Sequence, residues 1–271
     1  MDLQLKNSNN GFIGYYFKHA SSDALLSIIV GSSNDEDFIQ IITEDSALKI
    51  PYKEDDIRVK QGLLIDIEHD NTSIHGYIYY NRFTPLKHHI MGPFKYTPLC
   101  CQHNIISMKH KVHGSLNYNG KLYDFHNGTG YIEMDSGTSF PKEYIWIQGN
   151  EFKSGTNLFL AIAKLDLFKV PFMGCICAVQ LKYKEYIFAT YKGCKVLKYS
   201  KNEIIIKQGS YKLCIYPKEI IGYELSAPED GKMNRTIREQ LNSSVQFEFY
   251  KNNKVILIDE GRASIEYEMN A

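Results

Sequence analysis

The sequence predicts an all-β protein, on three observations. Short runs of β-branched and aromatic residues recur from end to end. Asn, Asp, Gly or Ser turns separate most of them, at the spacing of meander barrels and sandwiches. Aromatic residues make up 13% of the chain, with 20 Tyr and 14 Phe, a content that favours strands or an aromatic-lined cavity over a helical bundle.

The elements follow in order. Phe12–Phe17, Ala24–Val30, Phe38–Ile42 and Leu63–Ile67 are short and β-rich, and Ile74–Tyr80 alternates apolar with small or polar positions. Leu116–Leu122 holds Asn119-Gly120, a type I′ hairpin signal because both residues tolerate positive φ. The second half repeats the habit in Tyr144–Gln148, Leu158–Ile162, Cys175–Leu181, Tyr186–Tyr191, Glu203–Lys207 and Tyr211–Tyr216. Phe247–Ile256 reads as a hairpin around Asn252-Asn253. Thr236–Leu241, with Ile237 and Leu241 four apart, is the one helix-like patch. Small residues and a proline at Gly137–Pro141 interrupt the strands, so two domains are expected, 1–139 and 140–271.

At 271 residues, 44% hydrophobic, the chain can bury one large core or two ordinary ones. Lys plus Arg and Asp plus Glu are 31 each, a formal net charge of zero, which gives no general pull on phosphate backbones and argues against nucleic-acid binding. The halves differ: 12 basic and 16 acidic residues in 1–140 give −4, and 19 against 15 in 141–271 give +4. The longest apolar run, Ala24–Val30, is too short to span a bilayer. Met1-Asp2-Leu3-Gln4 lacks a basic stretch before an apolar core, so a cytoplasmic location is expected. Six cysteines in such a chain are expected as free thiols.

Residues 128–152 read GTGYIEMDSGTSFPKEYIWIQGNEF. Gly130-Tyr131, Glu133, Asp135, Gly137, Phe140-Pro141, Trp146, Gln148 and Asn150 together resemble the signature of the tocopherol cyclase-like family. Gly14–Lys18 is similar to that family's opening Gly-Trp-Tyr-Phe-Lys, and Ile187–Tyr191 to its Phe-Ala-Thr-Tyr strand. Ile90–Phe94 and Pro98–Met108 look familial too. Met134 and Ser136 stand where the family has Lys and Trp, and Cys100 where it has Glu. The resemblance implies two tandem lipocalin-like antiparallel β-barrels, related to those of carotenoid hydratases. It also implies acid-type addition across a prenyl double bond, with a phenol oxygen or water capturing the cation. The expected ligand is a hydrophobic small molecule, an isoprenoid or prenylquinol, taken up through peripheral membrane contact. A non-catalytic carrier of a hydrophobic ligand is the alternative.

Protonating an alkene needs a positioned acid in a dry pocket. Tyr131, Glu133 and Asp135 sit at i, i+2 and i+4, so a strand turns all three to one face. That face could be the barrel interior or a solvated acidic surface. Glu133 and Asp135 are the candidate acids. Tyr131, Trp146, Gln148, Asn150 and His103 are candidate ligand-binding residues. Aromatic faces stabilise a developing cation, and the amides could hold a quinol hydroxyl or pair buried backbone. His103 stands where the family has its His after a Cys. Cys-x-x-Cys and His-Glu-x-x-His spacings do not occur, so neither metal nor cofactor is expected.

Overall fold

The computed structural model describes residues 3–5, 11–182, 184–218 and 221–269. Among them the regular elements are antiparallel strands and two short 3-10 turns, Gly92–Tyr96 and Thr190–Lys192. Among the described residues, no helix is long and apolar enough to cross a membrane.

The chain forms two lipocalin-like barrels. Their compact units are not consecutive halves. The first comprises Met1–Leu86, His103–Ser139 and Leu225–Thr236, and the second Lys87–Gln102, Phe140–Glu224 and Ile237–Ala271.

The sheet of the first unit contains β1 (Phe12–Ala20), β2 (Leu25–Ser32), β3 (Asp37–Thr43), β4 (Ala47–Pro51), β5 (Ile57–Val59), β6 (Gly62–His69), β7 (Thr72–Tyr80), β8 (Cys101–Tyr118), β9 (Lys121–Asp124) and β10 (Gly128–Gly137). They run β4-β3-β2-β1-β10-β8-β7-β6-β5, with β9 on β8. Tyr15, Phe17, Ile28, Val30, Ile39, Ile41 and Ile132 point into one apolar core. Alternation turns Tyr16, Lys18, Ser27, Gln40, Tyr131 and Glu133 to the other face, and these are buried as well. A sheet covered on both faces explains why β1 to β3 read as nearly continuous apolar runs. The Leu225–Thr236 segment is tied to β3 by the Gln40 side-chain amide, which donates to Ser226 O (2.9 Å) and accepts from Ser226 N–H (2.7 Å).

The second sheet contains β11 (Tyr144–Phe152), β12 (Asn157–Leu167), β13 (Val170–Leu181), β14 (Lys184–Ala189), β15 (Lys195–Tyr199), β16 (Ile204–Gln208), β17 (Tyr211–Pro217), β18 (Tyr223–Glu229), β19 (Lys232–Lys251) and β20 (Lys254–Glu268), of which most of β18 and the start of β19 fall in the Leu225–Thr236 segment of the first unit. The order is β14-β13-β12-β11-β20-β19-β17-β16-β15, with β18 on β19. The Gln208 side chain links β16, next to one end of this order, to β14 at the other. It accepts from Ala189 N–H and donates to Ile187 O, both at 3.0 Å, standing in for ladder bonds between β16 and β14.

Both hairpin signals hold. Tyr118 pairs Lys121 around Asn119-Gly120, and Lys251 pairs Lys254 around Asn252-Asn253, all four turn residues at positive φ. The helix-like patch does not hold: Thr236–Leu241 lies inside β19. A spacing of four fits a strand face as well as a helix face, because four is a multiple of two. Ile237, Glu239 and Leu241 all bury while Arg238 is exposed.

Candidate functional site

The candidate residues of β10 are brought together, but not inside the barrel. Ile132 and Met134 face the apolar core, so Tyr131, Glu133 and Asp135 share the opposite face. The reading of that face as the barrel interior is therefore corrected. The alternative of a solvated acidic strand is not met either, since Tyr131 is 0% and Glu133 3% exposed.

The β1–β10 register builds the site. Lys18 stands opposite Tyr131, Tyr16 opposite Glu133 and Gly14 opposite Asp135. Tyr131 donates its hydroxyl hydrogen to Glu133 Oε2 at 2.5 Å. Burial above all, then the Glu133 charge, holds the Tyr131 phenol well above its ordinary range, so Tyr131 stays a donor. Ser27 Oγ donates to Tyr16 Oη at 2.9 Å, and the Tyr16 and Tyr131 rings meet edge-on with centroids 6.3 Å apart. Lys18, at 1% exposure, lies on this face diagonal to Glu133, a spacing a long side chain can span. His103 Nδ1 pairs with Asp135 Oδ1 at 2.7 Å. Asp135 thus has a basic partner from β8, while Glu133 has a phenol.

A second polar face lies on β11 and β20. Tyr144, Trp146 and Gln148 turn away from the core formed by Ile145, Ile147, Leu160 and Ile265. Trp146 stands opposite Glu266 and Gln148 opposite Ser264, and Tyr144 donates to Glu266 Oε2 at 2.9 Å. Simple alternation fails after Gln148. A bulge between Gln148 and Glu151 shifts the register, and Phe152 returns to the core. Asn150 is buried within this bulge, and Glu151 forms a two-armed pair with Arg262 at 2.8 Å for each arm.

The profile of the tocopherol cyclase-like family matches residues 70–266. The chain belongs to the tocopherol cyclase-like family. No curated protein matches its sequence. Its fold is similar to that of kievitone hydratase from Nectria haematococca (10% identity, TM-score 0.53, 96% of this chain and 90% of that one). It is also similar to CghA (7% identity, TM-score 0.56, 96% and 89%).

The tocopherol cyclase-like resemblance includes one residue to which pattern alone gives no role. Lys18 closes the Gly14–Lys18 segment, and a lysine inside an apolar run on a buried strand is the signal that marks it. Glu239, 0% exposed and directly opposite Glu266, is a second such residue. The four-residue spacing of its segment suggests a helix, which gives Glu239 no strand face. Met134, where the family has Lys, packs against the core of the first unit, consistent with an apolar residue at that position.

Proposed function

We propose that this protein is an enzyme acting on a prenylated quinol or related isoprenoid, with Glu133 as the proton donor to a prenyl double bond. The observation that carries the reading is the buried Tyr131–Glu133 hydrogen bond. A phenol donating to a carboxylate stabilises the state that exists after the acid has given up its proton. It therefore helps the acid most as the proton leaves. The alkene carbon gains the proton, and a tertiary cation forms within reach of the Tyr16 and Tyr131 ring faces, which attract positive charge. The substrate's phenol oxygen closes on the cation and a C–O bond forms. The phenol proton then returns to Glu133, so the net change is an isomerisation. Asp135 is the less suited acid because His103 already pairs with it.

Incubation with prenylated hydroquinones and analysis of the cyclised product tests this reading. Glu133→Gln should keep ligand binding and lower the rate about 10²-fold or more. An unchanged rate would clear Glu133 of the role. Saturable binding of a prenylquinol by calorimetry, with no product from the unmodified protein, would replace the enzyme by a carrier.

A further inference from the structure

We propose that the outer face of β15, β16, β17, β19 and β20 docks on a membrane surface rich in anionic lipid. The registers place Lys195 opposite Lys207, Lys207 opposite Lys212, Lys212 opposite Tyr250 and Tyr250 opposite Val255. One row thus crosses five strands and carries three lysines side by side. The intervening core-facing residues are Val196, Ile206, Leu213, Phe249 and Leu257, so the row points away from the barrel's own core.

Like charges directly opposite on neighbouring strands weaken a sheet. Other basic side chains of this unit do have acidic partners, among them Lys198 with Glu203, Lys218 with Glu260 and Arg262 with Glu151. Among the described residues, Lys195, Lys207 and Lys212 have no carboxylate within ion-pair distance. The Lys212 ammonium instead lies 4.1 Å from the centroid of the Tyr250 ring. Glu248, on the same face in the adjacent row, accepts from the Tyr216 and Tyr250 hydroxyls. Lys251 and Lys254 add charge at the β19–β20 turn.

The row ends in exposed aliphatic side chains. Val255, Ile256 and Ile258 of β20 are 52%, 42% and 54% exposed, and Leu197 at the β15 bulge is 56% exposed. Lysines flanked by protruding aliphatics match an anionic interface with an acyl layer beneath it. A nucleic acid would satisfy the lysines but would leave the aliphatics in water. This proposal does not rest on the reaction proposed above.

The test is sedimentation with phosphatidylcholine vesicles, with and without phosphatidylserine. The protein should sediment only with the anionic vesicles, and less as salt is raised. The Lys207→Glu/Lys212→Glu double variant should bind about tenfold more weakly or worse. Lys60→Glu/Lys111→Glu, equal in charge change but on the first unit, should bind like the unmodified protein. Val255→Ser/Ile258→Ser should weaken the binding that survives at high salt. Single Lys207→Glu places opposite charges beside Lys195 and Lys212, so it should melt no lower than the unmodified protein while binding vesicles more weakly. Equal sedimentation with neutral and anionic vesicles, or loss in the first-unit control, would overturn the proposal. So would Lys207-dependent binding of single-stranded RNA with no vesicle binding.

Discussion

His19 and His110 are held neutral inside the first barrel. His19 Nε2 meets the Tyr80 hydroxyl at 2.7 Å, and the Tyr80 ring lies between the imidazoles, stacked on one and edge-on to the other. Burial takes each histidine from 6.5 to about 3, and a charge on His110 would push His19 the same way. The unfolded chain therefore binds more protons between those two values. Stability is intact above 6.5 and falls as pH drops towards 3, at ~1.4 kcal/mol per pH unit for each histidine. His110→Phe, set against Tyr80 and Phe83, should flatten this slope in urea titrations across that window. Equal slopes for the two proteins would refute the assignment. At the site itself, Tyr131→Phe removes the phenol's hydrogen bond from the buried Glu133 carboxyl. It should cost about 1–3 kcal/mol of stability by urea titration and slow turnover about tenfold or more with binding kept. A variant as stable and as fast as the parent would mean that the 2.5 Å bond is not used.

At the scale of elements, two glycines separate backbone strain from crowding. Gly120 sits in the β8–β9 turn at φ +83 with open space where a Cβ would stand, so Gly120→Ala meets only the left-handed backbone cost of about 1 kcal/mol. Gly130, in the Gly-Tyr pair of the family signature, lies under the His110 ring. A Cβ there would come within 2.4 Å of Nε2. Gly130→Ala must move a buried ring and should cost about 1–3 kcal/mol, and it should alter the His110 pH response, which Gly120→Ala leaves alone. Urea titration of the two variants at two pH values checks both statements. The sequence marks both glycines, one as half of a turn dipeptide and one as part of a motif. Only the packing of His110 on β10 supplies a physical reason for the second.

At the scale of the whole molecule, the cysteines report on the second unit, since all six lie in its segments. Among the six thiols, Cys100 is half-buried and the other five are buried. Burial raises the Cys100 thiol as well, so its reaction should be slow but first. Native alkylation should modify Cys100 ahead of the rest, and all six should react in denaturant without reductant. Peptide mapping by mass spectrometry reads both outcomes. Early loss of Cys177 or Cys214 would mean that the second barrel opens more readily than its packing suggests.

The strands, the two hairpin turns and the signature residues Tyr131, Glu133, Trp146 and Gln148 are local properties. Turn chemistry and a period of two depend on near neighbours, so the sequence alone determined them. Which face each strand gives to its core was decided only by tertiary structure. In β1 to β3 and β10 both faces are buried, and hydrophobicity then no longer tells inside from outside. For the same reason Lys18 has no assignment from pattern, and pattern alone lets the acid pair of β10 face the interior. The Gln148–Glu151 bulge and the division of Asp135 and Glu133 between His103 and Tyr131 depend on partners from β20 and β8, or on one rotamer in a packed sheet. Contacts across such sequence distances carry no periodic trace along the chain, and folding alone brings them together.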